Sequence, residues 1–320
     1  MNGRRWLLLA GLAVLVFVGL AAYGDLRDLA GRVTRFPLPY LAVALGLAAI
    51  NYLLRFLRWQ FYLRTLSIPV PVPVSALVFL GGLALSITPG KLGELVKSYL
   101  LRDRSGVPVT LSAPVVLMER FTDVIAVALV GMAGLALPAS QQLPLLVSLV
   151  LLSVLLLCAV AALLVFWRRG DRLLDLPLVR RWGQAVRESQ EGMRRLLGFR
   201  PLAVALLLAL LAWCSEGLAL WVILRGLDAE ISVLQAVPIY AAATLVGAIS
   251  TLPGGLVGTE GSMVALLQQA GVSRGPAAAA TLLVRLATLW FAVVIGLAAL
   301  VCWRWRRPRP VAEVSPSPGI

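Results

Sequence analysis

The sequence contains no histidine and only three cysteines. Without an imidazole, the chain has no histidine for a metal site, for a serine–histidine relay or for a base that works near neutral pH. The cysteines, Cys158, Cys214 and Cys302, are far apart and each lies in an apolar run. This spacing argues against a disulfide framework and against a thiolate metal cluster, and we expect no cofactor.

Charged residues are also scarce, at 14% of the 320 residues, whereas hydrophobic residues make up 60%. Soluble proteins have about 25% charged and about 45–50% apolar residues. So few charges cannot cover a water-exposed surface, and a polytopic membrane protein is predicted. The net charge of +14 then indicates cytoplasmic loops beside anionic lipid rather than binding to nucleic acid.

Six apolar stretches are long enough to cross a hydrocarbon layer as helices of about 20 residues. They cover residues 6–23, 38–57, 109–137, 144–166, 201–224 and 276–302. The first resembles a secretory signal peptide, but its apolar run is longer than the usual ~7–15 residues. We therefore interpret it as a span.

Most loop arginines fall on one side if the N-terminus starts in the cytoplasm, so both termini are predicted to be cytoplasmic. In this arrangement Arg55, Arg58 and Arg64, together with Trp59, are interpreted as an ordinary anchor at the inner face.

The segment 168–200 alternates apolar residues with arginines at helical spacing. Two interpretations stay open: a basic amphipathic helix over residues 170–198 on the inner leaflet, or a solvated connector. The proline-rich residues 304–320 are predicted to form a flexible tail.

Two further apolar stretches, residues 72–101 and 233–270, are interrupted near their centres by Pro-Gly. The first reads SITPGKLGE from Ser86 to Glu94, and the second reads STLPGGLVGTE from Ser250 to Glu260. Because proline removes a helical hydrogen bond and glycine loosens the backbone, each helix should break there. The remaining pieces are too short to cross alone, so two re-entrant hairpins are predicted.

A shift of 165 residues superposes Gly106 on Gly271 and Arg120 on Arg285, and the Pro-Gly…Glu elements also match. This pattern predicts two related membrane repeats, residues 1–137 and 138–303. Each repeat would cross the bilayer three times, so the second would be inverted. The predicted fold is an all-α integral membrane protein with six spans, two re-entrant hairpins and an inverted repeat, which is typical of transporters.

Insertion of a charged residue at the centre of a membrane span costs about 2.5–3.5 kcal/mol, so each such residue is expected to have a structural or functional role. Arg120 and Arg285 lie near the middle of their spans. They are predicted either to bind a phosphate group from two directions or to form internal salt bridges. For the second alternative, Glu119 or Asp123 would pair with Arg120. Arg285 has no acidic neighbour in its own helix, so either a ligand or Glu260 is expected as its partner.

The Pro-Gly breaks also place helix N-termini, which attract anions, inside the membrane. Glu94 and Glu260 have several open roles: pairing with Arg285 and Arg120, binding a cationic head group, carrying a coupling proton, or only neutralising the hairpins. Glu216 is isolated in its span and is a candidate for proton coupling if it is protonated or paired. The candidate binding residues are Gly90, Lys91, Glu94, Arg120, Gly254, Gly255, Glu260 and Arg285, and the charge-coupling candidates are Glu119, Asp123 and Glu216.

These motifs resemble the transmembrane-region family of lysylphosphatidylglycerol synthases, over nearly all of residues 6–303. The resemblance rests on four elements: Arg55…Arg58-Trp59, Thr88 to Glu94 with Lys97, Glu119-Arg120…Asp123, and Pro253 to Glu260. It implies a bacterial or archaeal inner-membrane protein, and in fused members this region is the flippase half that moves an aminoacylated lipid. Other stand-alone members are associated with glycolipid, hopanoid or polyprenyl-lipid pathways. Because no aminoacyltransferase domain follows the last predicted span, we do not expect the synthase activity here.

The leading hypothesis is a lipid translocase, not an enzyme, whose partner is a membrane lipid with an anionic, phosphate-containing head group. The lipid would be a phospholipid, an aminoacylated lipid or a polyprenyl or glycolipid. Two alternatives stay open: a small-solute or ion transporter, and a non-transporting partner of a glycosyltransferase or lipid-modifying enzyme. A homo-oligomer is compatible with each of them.

Overall fold

The computed structural model describes residues 26–88, 93–132, 183–250 and 252–305, and within these ranges every regular element is helical. The α-helices are α1 (Leu26–Thr34), α2 (Leu38–Thr65), α3 (Val72–Leu83), α4 (Val96–Ser105), α5 (Val109–Met132), α6 (Gly183–Leu196), α7 (Phe199–Gly226), α8 (Val233–Ile249), α9 (Gly258–Gln269), α10 (Arg274–Arg285) and α11 (Phe291–Trp305). A π-helical turn, Leu286–Trp290, joins the last two helices without a break.

Three helical stretches of the described part are long and apolar enough to cross a membrane: α2, α7 and the continuous run Arg274–Trp303. They confirm the helices predicted at 38–57, 201–224 and 276–302, although α2 continues as far as Thr65. Helix α5 forms within the predicted 109–137. The predicted spans 6–23 and 144–166 and nearly all of the tail lie outside the described residues.

The side chains of α2 are distributed as expected for a helix that faces lipid. Val43, Ile50 and Leu57 are exposed, whereas Asn51 and Arg55 are buried. An apolar exterior around a polar interior is the arrangement that hydrocarbon solvent favours, since polar side chains gain partners only inside the helical bundle.

Helices α2 and α7 pack antiparallel along their lengths. A β-carbon built on Gly226, at the end of α7, would lie 3.0 Å from Cγ of Tyr40, near the start of α2. At the middle of both helices, the Asn51 amide donates a 2.8 Å hydrogen bond to the carbonyl oxygen of Ala212. Small buried residues allow this close approach: Ala44, Ala48, Ala205, Ala209 and Ala212.

Neither of the two interrupted segments forms one continuous helix, as the sequence predicts, although Pro89 and Gly90 of the first lie outside the described residues. In the first interrupted segment, α3 ends at Leu83 and α4 begins at Val96. In the second interrupted segment, α8 ends at Ile249 and α9 begins at Gly258. Between α8 and α9, a short 3-10 turn contains Gly254 and Gly255 with φ of 64° and 67°, a left-handed conformation that glycine adopts at little cost.

The individual helices of these segments are short. The 12 residues of α3 extend about 18 Å and the 17 residues of α8 about 26 Å, at 1.5 Å per residue. Both values are below the ~30 Å of a hydrocarbon core.

Helix α6 lies within the segment 168–200 and packs against other helices. The Ser189 hydroxyl donates a 2.8 Å hydrogen bond to the carbonyl oxygen of Thr110 at the start of α5. Met193 and Leu196 are buried in the same apolar cluster as Val115 of α5. In this stretch the apolar side therefore packs on protein, and the two interpretations of residues 170–198 stay predictions. Residues 168–182 lie outside the described part.

Candidate functional site

A cavity of about 330 Å³ lies where the two interrupted segments meet. Ser86 and Thr88 line it from the first segment, and Gly254 and Gly255 line it from the second. Its charged side chains are Arg55, Arg120, Asp123, Glu216 and Arg285. The two arginines predicted from the repeat pattern therefore face one shared space rather than hydrocarbon.

Arg120 forms the salt-bridge alternative that the sequence left open, with the predicted Asp123 as one partner and with Glu94, rather than Glu119, as the other. Its Nη2 lies 3.0 Å from Oε2 of Glu94 and 3.0 Å from Oδ2 of Asp123. The neighbouring Glu119 instead accepts a 2.6 Å hydrogen bond from Nζ of Lys97. The Arg120 side chain keeps 22% of its surface exposed, so it remains accessible from the cavity.

Arg285 forms hydrogen bonds to both α9 and the 3-10 turn of the second interrupted segment. Its Nε donates a 2.6 Å hydrogen bond to Oε1 of Glu260, in the first turn of α9. Its Nη2 donates another to the carbonyl oxygen of Gly254, also at 2.6 Å. Each arginine therefore pairs with the glutamate of the interrupted segment that precedes it. The pair of Arg285 with Glu260 is the one that the sequence indicated for Arg285. The other pairing considered, of Glu94 with Arg285 and of Glu260 with Arg120, is not formed among the described residues.

The predicted inner-face anchor is wrong for Arg55, Arg58 and Trp59. Because α2 extends to Thr65, these residues lie inside the bundle, where Arg58 and Trp59 are fully buried and Arg55 is 6% exposed. Nη2 of Arg58 lies 2.8 Å from Oδ1 of Asp123, and Nη2 of Arg55 lies 3.5 Å from Oε1 of Glu94. Arg64 is exposed, as an anchor residue would be.

The buried polar face of α2 can be recognised in the sequence from the helical spacing of its residues. Asn51, Arg55, Arg58 and Tyr62 recur at intervals of four, three and four residues, which puts them on one side of a helix. All four are buried.

Lys97 is a further site residue that the sequence argument named only as part of the family resemblance. It is 1% exposed, and its Nζ lies 3.1 Å from Glu94 and 2.6 Å from Glu119. The ammonium group also lies 5.0 Å from the centre of the Trp59 ring. Its aliphatic stem occupies the space beside Gly82.

The first interrupted segment and its neighbours thus form an ion-pair cluster with four cations and three carboxylates. The cations are Arg55, Arg58, Lys97 and Arg120, and the carboxylates are Glu94, Glu119 and Asp123. The desolvation free energy of so many buried charges usually exceeds the attraction between them. A buried cluster of this kind therefore contributes little to the stability of the fold. Nε of Arg55 and Nε of Arg120 have no hydrogen-bond partner among the described residues, and both side chains line the cavity.

Glu216 lies in the cavity wall at another hydrogen-bonded group. The Tyr240 hydroxyl donates a 2.8 Å hydrogen bond to Oε2 of Glu216 and lies 3.4 Å from the hydroxyl of Thr288. The Tyr52 hydroxyl donates to the carbonyl oxygen of the same Thr288, at 2.5 Å. Thr288 belongs to the π-helical turn that follows Arg285. Glu216 is therefore a paired group, one of the two alternatives that the sequence indicated.

The structure divides the predicted site residues into three groups. Those that line the cavity are Arg120, Asp123, Gly254, Gly255, Glu216 and Arg285. Glu94, Glu119 and Glu260 are buried behind them as ion-pair partners. Gly90 and Lys91 lie outside the described residues.

Comparison with known proteins gives one family and a set of archaeal relatives. The family model of the lysylphosphatidylglycerol synthase TM region matches residues 7–296. A UPF0104 membrane protein of Methanothermobacter thermautotrophicus is 27% identical over 325 aligned positions, which cover 90% of this chain and 94% of the relative. UPF0104 membrane protein PH1989 of Pyrococcus horikoshii is 27% identical over 290 positions, which cover 82% of this chain and 86% of the relative. The chain belongs to the lysylphosphatidylglycerol synthase transmembrane-region family of membrane proteins.

Proposed function

We propose that this protein is a lipid translocase that moves a phosphate-containing lipid between the two leaflets of the inner membrane. The observation that carries the proposal is the position of Arg120 and Arg285, which line one cavity between two interrupted helices. In this account the head group enters the cavity and its phosphate is bound between the two guanidinium groups. The acyl or polyprenyl chains stay in the surrounding lipid.

The chemistry of the cavity suits a phosphate. A guanidinium group presents a planar fork of donors that matches phosphate oxygens. Glu94 and Glu260 hold the two arginines in position while no ligand is bound. The free Nε donors of Arg55 and Arg120 provide hydrogen bonds that need no carboxylate to be displaced.

The apolar part of the wall suits the lipid portion next to the head group. Leu83, Val124, Val127 and Leu289 line the cavity together with the charged residues. Pockets that combine apolar walls with a few convergent polar groups are typical of small-molecule binding sites.

The topology in this proposal is an inverted repeat with both termini in the cytoplasm and six spans. The two interrupted segments would be re-entrant hairpins that open to opposite sides. Supporting features are the equal 28-residue lengths of α2 and α7 and their antiparallel packing. In addition, Gly106 and Gly271, which are 165 residues apart, both have a left-handed backbone.

Two reciprocal hydrogen bonds also support a twofold relationship. Tyr52 of α2 donates to Thr288, and Trp213 of α7 donates to Asp123, at 3.2 Å. Tyr52 and Trp213 are separated by 161 residues, and so are Asn51 and Ala212, which contact each other at the middle of α2 and α7. Tyr52 and Trp213 therefore occupy equivalent positions in the two helices. Inverted halves with a site between them are the architecture of alternating-access carriers.

The experiment must separate phosphate binding from the structural role of the ion pairs, since removal of one partner leaves a buried charge uncompensated. We therefore choose the double variant Arg285→Met with Glu260→Leu, which removes both charges and fills a similar volume. The matched control is Arg195→Met with Glu191→Leu, an exposed ion pair on α6 at 3.0 Å. Exchange of fluorescent phospholipids between leaflets is measured in proteoliposomes, with folding checked by thermal unfolding.

The translocase predicts that the Arg285/Glu260 variant folds but loses exchange, whereas the control keeps the wild-type rate. If the Arg285/Glu260 variant folds and exchanges lipid at the normal rate, Arg285 does not bind the phosphate. Uptake of a soluble anion by the wild-type protein without any lipid movement would instead favour the small-solute transporter.

A further inference from the structure

We propose that the lipid recognised by this cavity is a phosphomonoester, in which the phosphate is terminal and has three unesterified oxygens. Arg55 is the residue that distinguishes this lipid from a phosphodiester. The inference rests on the proposed function and names the substrate class of the same site. Its basis is a third guanidinium group in the cavity wall, that of Arg55, in addition to those of Arg120 and Arg285.

The guanidinium groups of Arg55 and Arg120 lie beside the same two carboxylates. Oε1 of Glu94 lies 3.5 Å from Nη2 of Arg55, and Oε2 lies 3.0 Å from Nη2 of Arg120. Oδ2 of Asp123 lies 4.0 Å from the first of these nitrogens and 3.0 Å from the second. Because α2 and α5 bring the two arginines to shared carboxylates, one phosphate in the cavity can contact both guanidinium groups.

Arg55 is buried without the hydrogen bonds that its donors would normally form. It is 6% exposed, and its Nε and Nη2 have no hydrogen-bond partner among the described residues. Its carboxylate contacts, at 3.5 and 4.0 Å, neutralise charge but are too long or too poorly aligned to satisfy these donors. A buried donor without a partner is unfavourable, so a ligand in the cavity that accepts from Arg55 is favoured.

Arg58, three residues further along α2, has a different position. It is fully buried and is not part of the cavity wall. Its Nη1 donates a 3.1 Å hydrogen bond to the Thr122 hydroxyl, and its Nη2 lies 2.8 Å from Oδ1 of Asp123. Arg58 therefore connects α2 to α5, whereas Arg55 faces the space that a ligand would occupy.

Arg55 also makes the α2 side of the cavity different from the α7 side. At the 161-residue separation that relates α2 to α7, the equivalent of Arg55 is Glu216, which also lines the cavity. An ionised carboxylate repels phosphate oxygens. We therefore expect the phosphate to lie closer to Arg55 and Arg120 than to α7.

The number of arginines indicates the kind of phosphate ester. A phosphodiester has two unesterified oxygens, and the guanidinium groups of Arg120 and Arg285 are sufficient for these. A phosphomonoester has three such oxygens and a charge close to −2 near neutral pH. Its third oxygen gives Arg55 an acceptor that a phosphodiester lacks, and guanidinium donors suit such charged oxygens.

The preference can be measured by lipid binding to the detergent-solubilised full chain. Titration calorimetry at about pH 7.5, where the phosphomonoester is mostly a dianion, compares two lipids with the same acyl chains. Dihexanoyl phosphatidic acid is a phosphomonoester, and dihexanoyl phosphatidylglycerol is a phosphodiester. The wild-type protein is expected to bind the phosphatidic acid at least about tenfold more tightly, the effect of roughly one additional charged hydrogen bond.

Two substitutions of Arg55 test its role in this preference. Arg55→Lys keeps the positive charge but removes the planar fork of donors, and it should lose most of the preference for phosphatidic acid. Arg55→Met removes every donor and should bring the ratio of the two affinities close to one. Arg58→Lys is the matched control, since it makes the same change in the same helix but outside the cavity wall. It should keep the wild-type ratio even if its melting temperature falls.

Two results would overturn the inference while leaving the translocase intact. One is equal affinity of the wild-type protein for the two lipids, together with leaflet exchange of fluorescent phospholipids. The other is a wild-type affinity ratio in Arg55→Lys, which would show that the ligand does not use the donors of Arg55.

Methyl phosphate, titrated in parallel, separates the lipid from a free phosphomonoester and is expected to bind more weakly than phosphatidic acid. Equal affinity for both, without leaflet exchange of any lipid, would remove the proposed function together with this inference. Absence of both binding and exchange of every lipid in the wild-type protein would have the same consequence.

Discussion

The side-chain amide of Asn51 donates a hydrogen bond to the main-chain carbonyl oxygen of Ala212, at the point where α2 and α7 cross. Each residue lies near the middle of a 28-residue helix, and each is fully buried. Arg55 and Arg58 follow Asn51 on the same buried face of α2. The contact between α2 and α7 therefore lies about one helical turn from the ion pairs of the first interrupted segment.

Asn51→Leu is expected to change the free energy of unfolding by only about 1 kcal/mol, the usual net value of one hydrogen bond. The carbonyl oxygen of Ala212 keeps a 2.7 Å hydrogen bond from the Ser215 hydroxyl. Asn51 Oδ1 has no hydrogen-bond partner among the described residues, so leucine also removes an unsatisfied acceptor. Thermal unfolding in detergent measures the change.

Asn51→Asp provides the contrasting case at the same position. It replaces the donor by a buried carboxylate that faces a carbonyl oxygen, and it should destabilise the protein far more than leucine does. Equal melting temperatures for the two variants would contradict the assigned hydrogen bond.

Gly82→Ala is predicted to destabilise the protein by about 1–3 kcal/mol, the range for overpacking in a close-packed interior. The added β-carbon would lie 2.5 Å from Cγ of Lys97, whose ammonium group is held between Glu94 and Glu119. Gly46→Ala in α2 is the matched control, because no described atom lies within 4 Å of a β-carbon built there. The control should be neutral or stabilising by up to about 1 kcal/mol. A Gly82→Ala variant as stable as the wild-type protein would mean that the Lys97 side chain is not held in place beside α3.

Gly254→Ala is predicted to affect both stability and transport, whereas Gly106→Ala should affect stability alone. The two glycines have nearly the same left-handed backbone, with φ of 64° and 66°, so alanine should cost roughly 1–2 kcal/mol at each. Only Gly254 lines the cavity and accepts a hydrogen bond from Arg285. Unfolding measurements and leaflet exchange of both variants separate the two effects. Equal loss of exchange in both would show that general destabilisation, not the position of Arg285, controls the rate.

The sequence predicts the helical breaks and the special status of Arg120 and Arg285 because those features depend on local chemistry. Proline and glycine interrupt a helix wherever they occur in this arrangement. An arginine in the middle of an apolar run must face polar surroundings whatever the rest of the fold is. The cavity brings both arginines together, in agreement with this reasoning.

Only two ion-pair partners could be predicted from the sequence, Asp123 for Arg120 and Glu260 for Arg285. The partners of Arg55, Arg58 and Lys97 could not, since they depend on how separate helices pack. The apolar pattern predicts a span that ends at residue 57, close to Arg55 and Arg58. In the structure α2 continues through them, because Asp123 of α5 and Glu94 of the first interrupted segment supply opposite charges. The π-helical turn that positions Thr288 likewise has no signal in the residue pattern.

The most direct test of the central claim is a cryo-electron microscopy map of the protein in lipid nanodiscs, at a resolution that shows head groups. The account predicts phosphate density inside the cavity, within hydrogen-bond distance of both Arg120 and Arg285. A cavity without lipid density, in which both arginines contact only Glu94, Asp123, Glu260 and Gly254 while lipids are confined to the outer surface, would contradict it.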